Sequence, residues 1–215
     1  EIYTWRYADE QAKREEEHLT NWETELYRWL PVMQFHTFEV SEEAKKLSGL
    51  YSSEEGFTLT KFLGSDDGKK LNDESSVKLF FDQFFGIGVR KEHSPMRTHA
   101  VNHLLVVVPP NVNSATAVSK FLSKYEHNDH IVINVSGDNV TKLEHVKQLI
   151  RANQKTITIT CGRFNTGVTV PEWDMVVMLD DTRAPETYFQ TIFRCQSPDK
   201  QREKELCTVI DFNPQ

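Results

Sequence analysis

The pattern of apolar and polar positions changes character near residue 95. Beyond residue 98, short runs of Val, Ile, Leu and Thr alternate with stretches in which apolar residues recur at helical spacing. The runs predict strands at 103–108, 130–135, 156–160, 174–179 and 206–212, and the stretches between them predict helices near 113–125, 141–153 and 185–194. Strands that are apolar along their whole length are typical of a parallel sheet with helices on both faces. We therefore predict an α/β domain with a parallel sheet over residues 98–215.

Residues 1–97 follow a different, mainly helical pattern that is rich in aromatic and acidic side chains. Apolar spacing predicts helices over residues 9–30 and 75–85, and residues 36–42 are strand-like. Asp73 comes just before the second of these helices and is a candidate for its N-cap. We predict a helical connector or insertion segment that packs on the α/β domain.

The aromatic side chains of this segment allow two interpretations. They can form part of an apolar core, which their helical spacing favours, or they can stack against the bases of a nucleic acid strand. The residues concerned are Trp5, Trp22, Trp29, Phe57, Phe80, Phe81, Phe84 and Phe85. Core packing is the more common role of such residues, so we predict that most of them are buried.

Composition narrows the classes of function. The chain has 215 residues and a formal net charge of −7, which argues against a wholly basic nucleic-acid clamp but not against a domain that touches phosphates with a narrow strip. No apolar run approaches the roughly 20 residues of a membrane span. The three cysteines have no CxxC spacing and the histidines lack a third ligand nearby, so we expect no metal site and a reducing, cytoplasmic setting. The chain begins without Met, and we expect it to be part of a longer polypeptide.

The first candidate site is the loop after the strand predicted at 156–160. Two glycines of this loop enclose a polar stretch: Gly162, Arg163, Asn165, Thr166 and Gly167. Glycines permit tight turns and close approach of the backbone to a ligand, and small polar groups can donate hydrogen bonds to phosphate oxygens. The alternative is an ordinary strand–loop–strand connection whose polar residues are only solvated.

The second candidate site is the helix predicted at 185–194. Pro185 suits its first turn, and Gln190 and Arg194 are four residues apart, so they lie on one helical face. An arginine near a helix end can bind a phosphate through two parallel hydrogen bonds, and arginines often stabilise a phosphoryl group in transfer. The alternative for Arg194 is a surface ion pair.

Together these segments resemble conserved motifs of superfamily-2 helicases. Gly167-Val-Thr-Val-Pro171 is similar to the fifth motif and Gln190-Thr-Ile-Phe-Arg194 to the sixth, and the two occur in the family's order and separation. Val106-Val-Val-Pro-Pro110 resembles the fourth motif, which opens the second motor domain. The resemblance covers about residues 100–212. The run Phe193-Arg-Cys-Gln-Ser-Pro198 looks most like the helicase-type subunits of bacterial or phage restriction–modification enzymes.

The resemblance implies a fold and a set of roles. It implies a RecA-like second motor domain, preceded here by residues 1–97. The residues expected to bind the nucleotide are Gly167, Thr169, Gln190 and Arg194. Of these, Arg194 and Gln190 are expected to be catalytic, with Arg194 as an arginine finger. Arg163, Asn165, Thr166 and Pro109 are expected to contact nucleic acid.

One departure from the family bears on the arginine finger. The longer form of the sixth motif carries a second arginine where this chain has Ser197. Either Arg194 acts alone, or Arg202 takes the second role.

The resemblance also implies partners and cofactors that act on the whole enzyme. ATP and Mg²⁺ are expected between this domain and a first helicase domain, which would supply the Mg²⁺ ligands. The run Gly64-Ser-Asp-Asp-Gly68-Lys69-Lys70 resembles a P-loop but is one residue short and lacks its Ser or Thr, so we predict a surface turn without nucleotide. DNA is the expected substrate, RNA being a second option, and a nuclease or methyltransferase module is a further candidate partner. The alternative function is a non-catalytic module, RecA-like or Rossmann-like, that binds nucleic acid or a protein.

Overall fold

In the computed structural model, which describes residues 2–5, 30–37, 58–89, 94, 96, 101–138, 142–164, 167–181 and 184–212, seven strands form one sheet. Within these ranges the strands are β1 (Ile2–Trp5), β2 (Val32–Thr37), β3 (His103–Val107), β4 (Ile131–Asn134), β5 (Thr156–Thr160), β6 (Met175–Met178) and β7 (Leu206–Asp211). The helices are α1 (Leu59–Phe62), α2 (Glu74–Phe84), α3 (Val112–Lys124), α4 (Leu143–Ala152) and α5 (Pro185–Ile192), and α5 continues into a 3₁₀ turn, Phe193–Gln196.

The strands lie in the order β1-β2-β7-β6-β3-β5-β4. β1 pairs with β2 in antiparallel fashion, and every other neighbouring pair is parallel. In the centre of the sheet Leu105 of β3 lies between Thr158 of β5 and Val176 of β6. The predicted fold class, a parallel α/β sheet with flanking helices, is confirmed.

Both faces of the sheet are covered, because successive side chains of a strand point to opposite faces. Leu104 and Val106 of β3 belong to a buried cluster with α1, α2 and α3, which we call the first face. Leu105 and Val107 belong to a cluster with α4, α5 and the buried Trp173, which we call the second face. All five residues of β3 are buried, and this explains the continuous apolar run that predicted the strand.

The N-terminal segment contributes both strands and helices to this architecture. β2 pairs with β7 over six residues, and Met33 is fully buried on the second face. The strand-like pattern predicted at 36–42 corresponds to β2, which lies earlier in the chain, and β1 is a strand that the pattern did not indicate. The division of the chain at residues 97 and 98 stays a prediction.

The helix α2 places its aromatic residues in the core of the first face. Phe81, Phe84 and Phe85 are buried, and the rings of Phe80 and Phe212 meet edge to face with centroids 4.6 Å apart. The predicted core role is therefore confirmed for these residues, whereas the side chains of Trp5, Trp22, Trp29 and Phe57 lie outside the described residues.

Polar side chains fix the starts of two helices. Asp73 accepts a hydrogen bond from the Ser76 N–H at 3.1 Å, which confirms the predicted cap of α2. Asn111 caps α3 by accepting from the N–H groups of Asn113 and Ser114. In the part of the chain that is described, no helix is both long and apolar enough to span a membrane.

Candidate functional site

The carboxyl ends of the parallel strands bring the fourth-motif segment and the start of the fifth-motif loop to one edge of the sheet. We call it the carboxyl edge. β3 ends there before Pro109, β5 before the loop at 161–171, and β6 before Asp180. The chain passes from β3 toward β4 on one side and returns to β6 on the other side. Parallel sheets bind ligands at such a change of direction, in the crevice beyond the strand ends.

The loop at 161–171 exposes polar residues within its described part. Gly167 adopts a φ of 71°, which favours glycine, and it is exposed together with Arg163 and Thr169. The Thr160 hydroxyl donates to the Arg163 carbonyl and closes the start of the loop. Val170 is fully buried and fixes its end. Asn165 and Thr166, two predicted nucleic-acid contacts, lie outside the described residues.

Arg194 joins the two motifs directly. It lies half-buried in the 3₁₀ turn after α5, and its Nη1 donates a hydrogen bond to the backbone carbonyl of Val168 in the loop. Burial lowers the pKa of its guanidinium, which still stays charged at any physiological pH. The structure thus brings the fifth-motif loop and the sixth-motif arginine into contact, although they are 26 residues apart.

The helix α5 is anchored on its inner side and exposed on its outer side. Ile192 is fully buried, and the Tyr188 hydroxyl donates to Asp211 Oδ2 at 2.7 Å. Burial and this carboxylate raise the pKa of Tyr188, so the phenol remains a neutral donor. Gln190, the predicted partner of Arg194, is exposed on α5.

Two aromatic rings lie exposed beside Gln190. Phe189 is 52% and Phe193 43% exposed, and their rings stack with centroids 6.2 Å apart. Exposed aromatic pairs of this size are uncommon on a surface that meets only water. They mark the outer side of α5 as a surface suited to contact with another protein part.

Arg202 lies at the opposite edge of the sheet. Its guanidinium binds Asp199 at 2.7 Å and Asp174 at 3.1 Å, and it also donates to the Glu172 carbonyl. Asp174 directly precedes β6, so this cluster lies at the amino ends of the strands. Arg202 is thus held by two carboxylates, and the hypothesis that it takes the role of the second arginine stays a prediction.

The structure places Pro109 differently from the exposed loop residues. Pro109 is buried, whereas Pro110 and Asn111, the next two residues, are exposed. Its carbonyl accepts from the Asn111 N–H and helps to shape the start of α3. Any contact of this loop with nucleic acid would therefore be made by its exposed neighbours.

The turn at 64–70 is a surface turn, as predicted. The Ser65 hydroxyl accepts from the Gly68 N–H at 3.0 Å and donates to the Lys70 carbonyl at 2.6 Å. Asp67 accepts from the Lys69 N–H at 2.8 Å. These N–H groups are used inside the turn, so they do not form a cradle for a phosphate.

Sequence reasoning missed two carboxylates at the carboxyl edge. Asp181 caps α1 by accepting from the N–H groups of Leu59 and Thr60 at 3.1 and 3.0 Å. Burial and the neighbouring Asp181 raise the pKa of Asp180. The signal was present in the sequence, since two aspartates directly follow the apolar run that ends at Leu179.

Comparison with known proteins gives one curated relative of note and several loose structural likenesses. No family model matches the chain. A Mycoplasma pneumoniae (strain ATCC 29342 / M129 / Subtype 1) protein described as the C-terminus of a type II restriction enzyme and methyltransferase is 28% identical over 247 aligned positions. The match covers 99% of this chain and 34% of the relative, so the chain spans about a third of that protein's length.

Among solved structures, three chains are loosely similar. The C-terminal part of the Fun30 ATPase domain has a TM-score of 0.43 at 9% identity and covers 68% of this chain and 43% of its own. The C-terminal domain of the DEAD-box protein Dbp5 has a TM-score of 0.40 at 15% identity, with 68% and 73% covered. T4 UvsW has a TM-score of 0.45 at 17% identity, with 84% and 31% covered.

The curated relative agrees with the resemblance that the motifs indicated. Its similarity extends over nearly the whole chain, including residues 1–97 as well as the α/β part. The chain is therefore similar, from end to end, to the C-terminal part of a restriction enzyme and methyltransferase, and the resemblance to restriction–modification enzymes is confirmed.

Proposed function

We propose that this chain is the second motor domain of an ATP-dependent DNA helicase or translocase in a restriction–modification system. The observation that carries the proposal is the hydrogen bond from Arg194 to the Val168 carbonyl, which joins the sixth-motif arginine to the fifth-motif loop. The order of the motifs and the curated restriction-enzyme relative support it.

The side chains of the two motif segments can donate hydrogen bonds to phosphate oxygens. Arg194, Gln190 and Thr169 offer a guanidinium, an amide and a hydroxyl, all of which donate hydrogen bonds to anions. Gly167 lets the backbone come close to a ligand. Mg²⁺, which would neutralise phosphate charge when bound, would take its ligands from the first helicase domain.

The contact between Arg194 and Val168 also suggests how the two binding activities are coupled. When the first domain closes on ATP, Arg194 has to reorient toward the γ-phosphate, which breaks or carries along its bond to the loop. The exposed loop residue Arg163, with Asn165 and Thr166, would hold the nucleic acid backbone. A change at the nucleotide would thus move the loop on the strand.

The outer side of α5 would receive the first helicase domain. The stacked pair Phe189 and Phe193 lies beside Gln190 and is largely exposed. Closure would bury both rings, and burial of an aromatic side chain contributes about 1.5–3 kcal/mol. The same movement would exclude water around Arg194, which strengthens its attraction for phosphate.

The test compares ATP turnover by the 215-residue chain and by the longer polypeptide that carries the first domain, each with and without DNA. We expect no turnover above background from the chain alone, because its described residues form no P-loop, and DNA-stimulated turnover from the longer polypeptide. Robust hydrolysis by the chain alone, or none by the longer polypeptide, would contradict the proposal. The second result would favour a non-catalytic binding module.

A further inference from the structure

The first face of the molecule carries a groove that lies outside the loops of the carboxyl edge. The helices α2 and α3 form its two sides. They are in contact through the rings of Phe81 and Phe121, whose centroids are 5.7 Å apart. The turn at 64–70 closes one end, where Gly68 lies against Asn113 in the first turn of α3. Five lysines line the groove: Lys69, Lys70, Lys78, Lys120 and Lys124.

The charge of this groove is opposite to that of the chain. The whole chain has a formal net charge of −7, yet five lysines line the groove together with two acidic residues, Glu74 and Glu126, and a third, Asp82, is bound to Lys78. A concentration of like charge costs free energy through mutual repulsion unless an anion relieves it. The groove therefore has the electrostatics of an anion-binding site on an acidic protein.

The lysines differ in how they are engaged. Lys78 forms an ion pair with Asp82 at 2.9 Å, and Lys120 donates to the Gly68 carbonyl at 2.9 Å. Lys70 and Lys124 are exposed, and no carboxylate among the described residues lies within ion-pair distance of either. These two ammonium groups are therefore available to a ligand from outside.

The floor of the groove is aromatic and fixed. Phe121 and Tyr125 stack with ring centroids 5.6 Å apart. The Tyr125 hydroxyl donates to Asp82, and Lys78 lies 5.7 Å above the Tyr125 ring. Lysines beside fixed aromatic rings are the combination with which proteins follow a nucleic acid strand.

The arrangement is extended, and this decides what class of anion fits. The lysines come from three elements around the groove: Lys69 and Lys70 from the turn, Lys78 from α2, and Lys120 and Lys124 from the last two turns of α3. Lys120 and Lys124 are one helical turn apart on the same face. A single phosphate would use one end of this track, whereas a chain of phosphates can use all of it.

We propose that the groove between α2 and α3 binds the phosphate backbone of a nucleic acid. It goes beyond the proposed motor function, because none of its residues belongs to the loops that resemble helicase motifs. The groove would provide a second contact for the nucleic acid, on a face that the sequence predicted only as a layer of helices.

The test measures binding of a fluorescent single-stranded oligonucleotide and of a duplex to the 215-residue chain over a range of salt concentrations. Lys70→Gln with Lys124→Gln removes two groove charges, and Lys142→Gln with Lys147→Gln removes two charges on and near α4, at the second face. We expect the groove variant to bind roughly tenfold more weakly, with a salt dependence reduced by about two phosphate contacts. We expect the control variant to bind like the wild type.

Equal affinities of the groove and control variants would overturn the proposal. So would displacement of the oligonucleotide by a poly-glutamate peptide that binds more tightly, because the groove would then be a surface for an acidic protein. Ultraviolet cross-linking of the wild-type chain gives an independent reading. Cross-links in peptides from 69–78 or 120–126 support the groove, and cross-links confined to 161–171 contradict it.

Discussion

Two arginines only eight residues apart in the chain have different environments. Arg202, at the amino edge, is held by two carboxylates and a carbonyl. Burial lowers its pKa, but Asp199 and Asp174 raise it further than burial lowers it. Arg194, in the 3₁₀ turn after α5, donates to the Val168 carbonyl, and burial lowers the pKa of its guanidinium. An arginine between two acids stabilises a fold, whereas Arg194 belongs to the segment that we propose acts on phosphate.

The largest effect that this comparison predicts is on turnover. In the longer polypeptide, Arg194→Ala should lower DNA-stimulated ATP hydrolysis on the order of 10³-fold, because a finger stabilises the charge of the phosphoryl group in transfer. Arg194→Lys should restore little, since a point charge does not reproduce the planar guanidinium. Steady-state kinetics check this prediction. Wild-type turnover in Arg194→Ala would make Arg194 a structural residue like Arg202.

The reverse behaviour is expected for Arg202. Arg202→Ala should lower the free energy of unfolding by about 1–3 kcal/mol, because it leaves Asp174 and Asp199 without their cation in a partly buried place. Turnover per folded molecule should not change. Urea denaturation measures the loss. Lys155→Ala is the control, since it breaks an exposed pair with Asp129 that contributes at most about 1 kcal/mol.

The Arg202 cluster should also respond to acid. Although burial opposes it, hydrogen bonds from Arg202 lower the pKa of Asp199 below its usual value of 3.8. A carboxylate with a lowered folded-state pKa stabilises the fold above its unfolded pKa, and this contribution is lost as the pH falls through the folded value. The stability difference between the wild type and Arg202→Ala should therefore be full above pH about 5 and shrink below pH about 4. A constant difference across this range would contradict the assignment.

Two glycines offer the smallest and most closely matched test. Gly167 and Gly88 both have a φ of 71°, and a Cβ added at either would meet no atom within 4 Å. Replacement of either glycine by Ala should therefore lower the free energy of unfolding by a similar amount, about 1 kcal/mol, from backbone strain alone. Only Gly167→Ala should also lower DNA-stimulated turnover, because only Gly167 belongs to the loop at the carboxyl edge. Equal turnover in both variants would show that the loop takes no part in ATP hydrolysis.

The sequence predicted most of the α/β part because its signals are local. Each strand from β3 to β7 is a continuous apolar run, and the predicted ends lie within two residues of the observed ones. The strand β2 was predicted too late and β1 was missed. β1 is an edge strand, paired only with β2. β2 is paired on both sides, but Gln34 and Phe35 are only partly buried, so it lacks the fully apolar composition that made the central strands visible.

The candidate site could be predicted as residues but not as contacts. The motif letters marked Arg194 and the loop, yet nothing local indicates that Arg194 reaches the Val168 carbonyl. The carboxylate partner Asp174 of Arg202 likewise could be found only from the fold, because it lies 28 residues away in the chain. The lysine groove could not be predicted from the sequence either, because its lysines come from three separate elements that only the fold brings together.

The most direct test of the central claim is equilibrium binding of ADP with a mimic of the γ-phosphate in transfer, measured on wild-type and Arg194→Ala forms of the longer polypeptide. A finger acts on the transition state more than on the ground state. The variant should therefore lose affinity for the mimic on the order of 10³-fold and bind ATP nearly as tightly as the wild type. Unchanged affinity for the mimic, or an equal loss of affinity for ATP and for the mimic, would contradict the claim that Arg194 of this chain completes an ATP site.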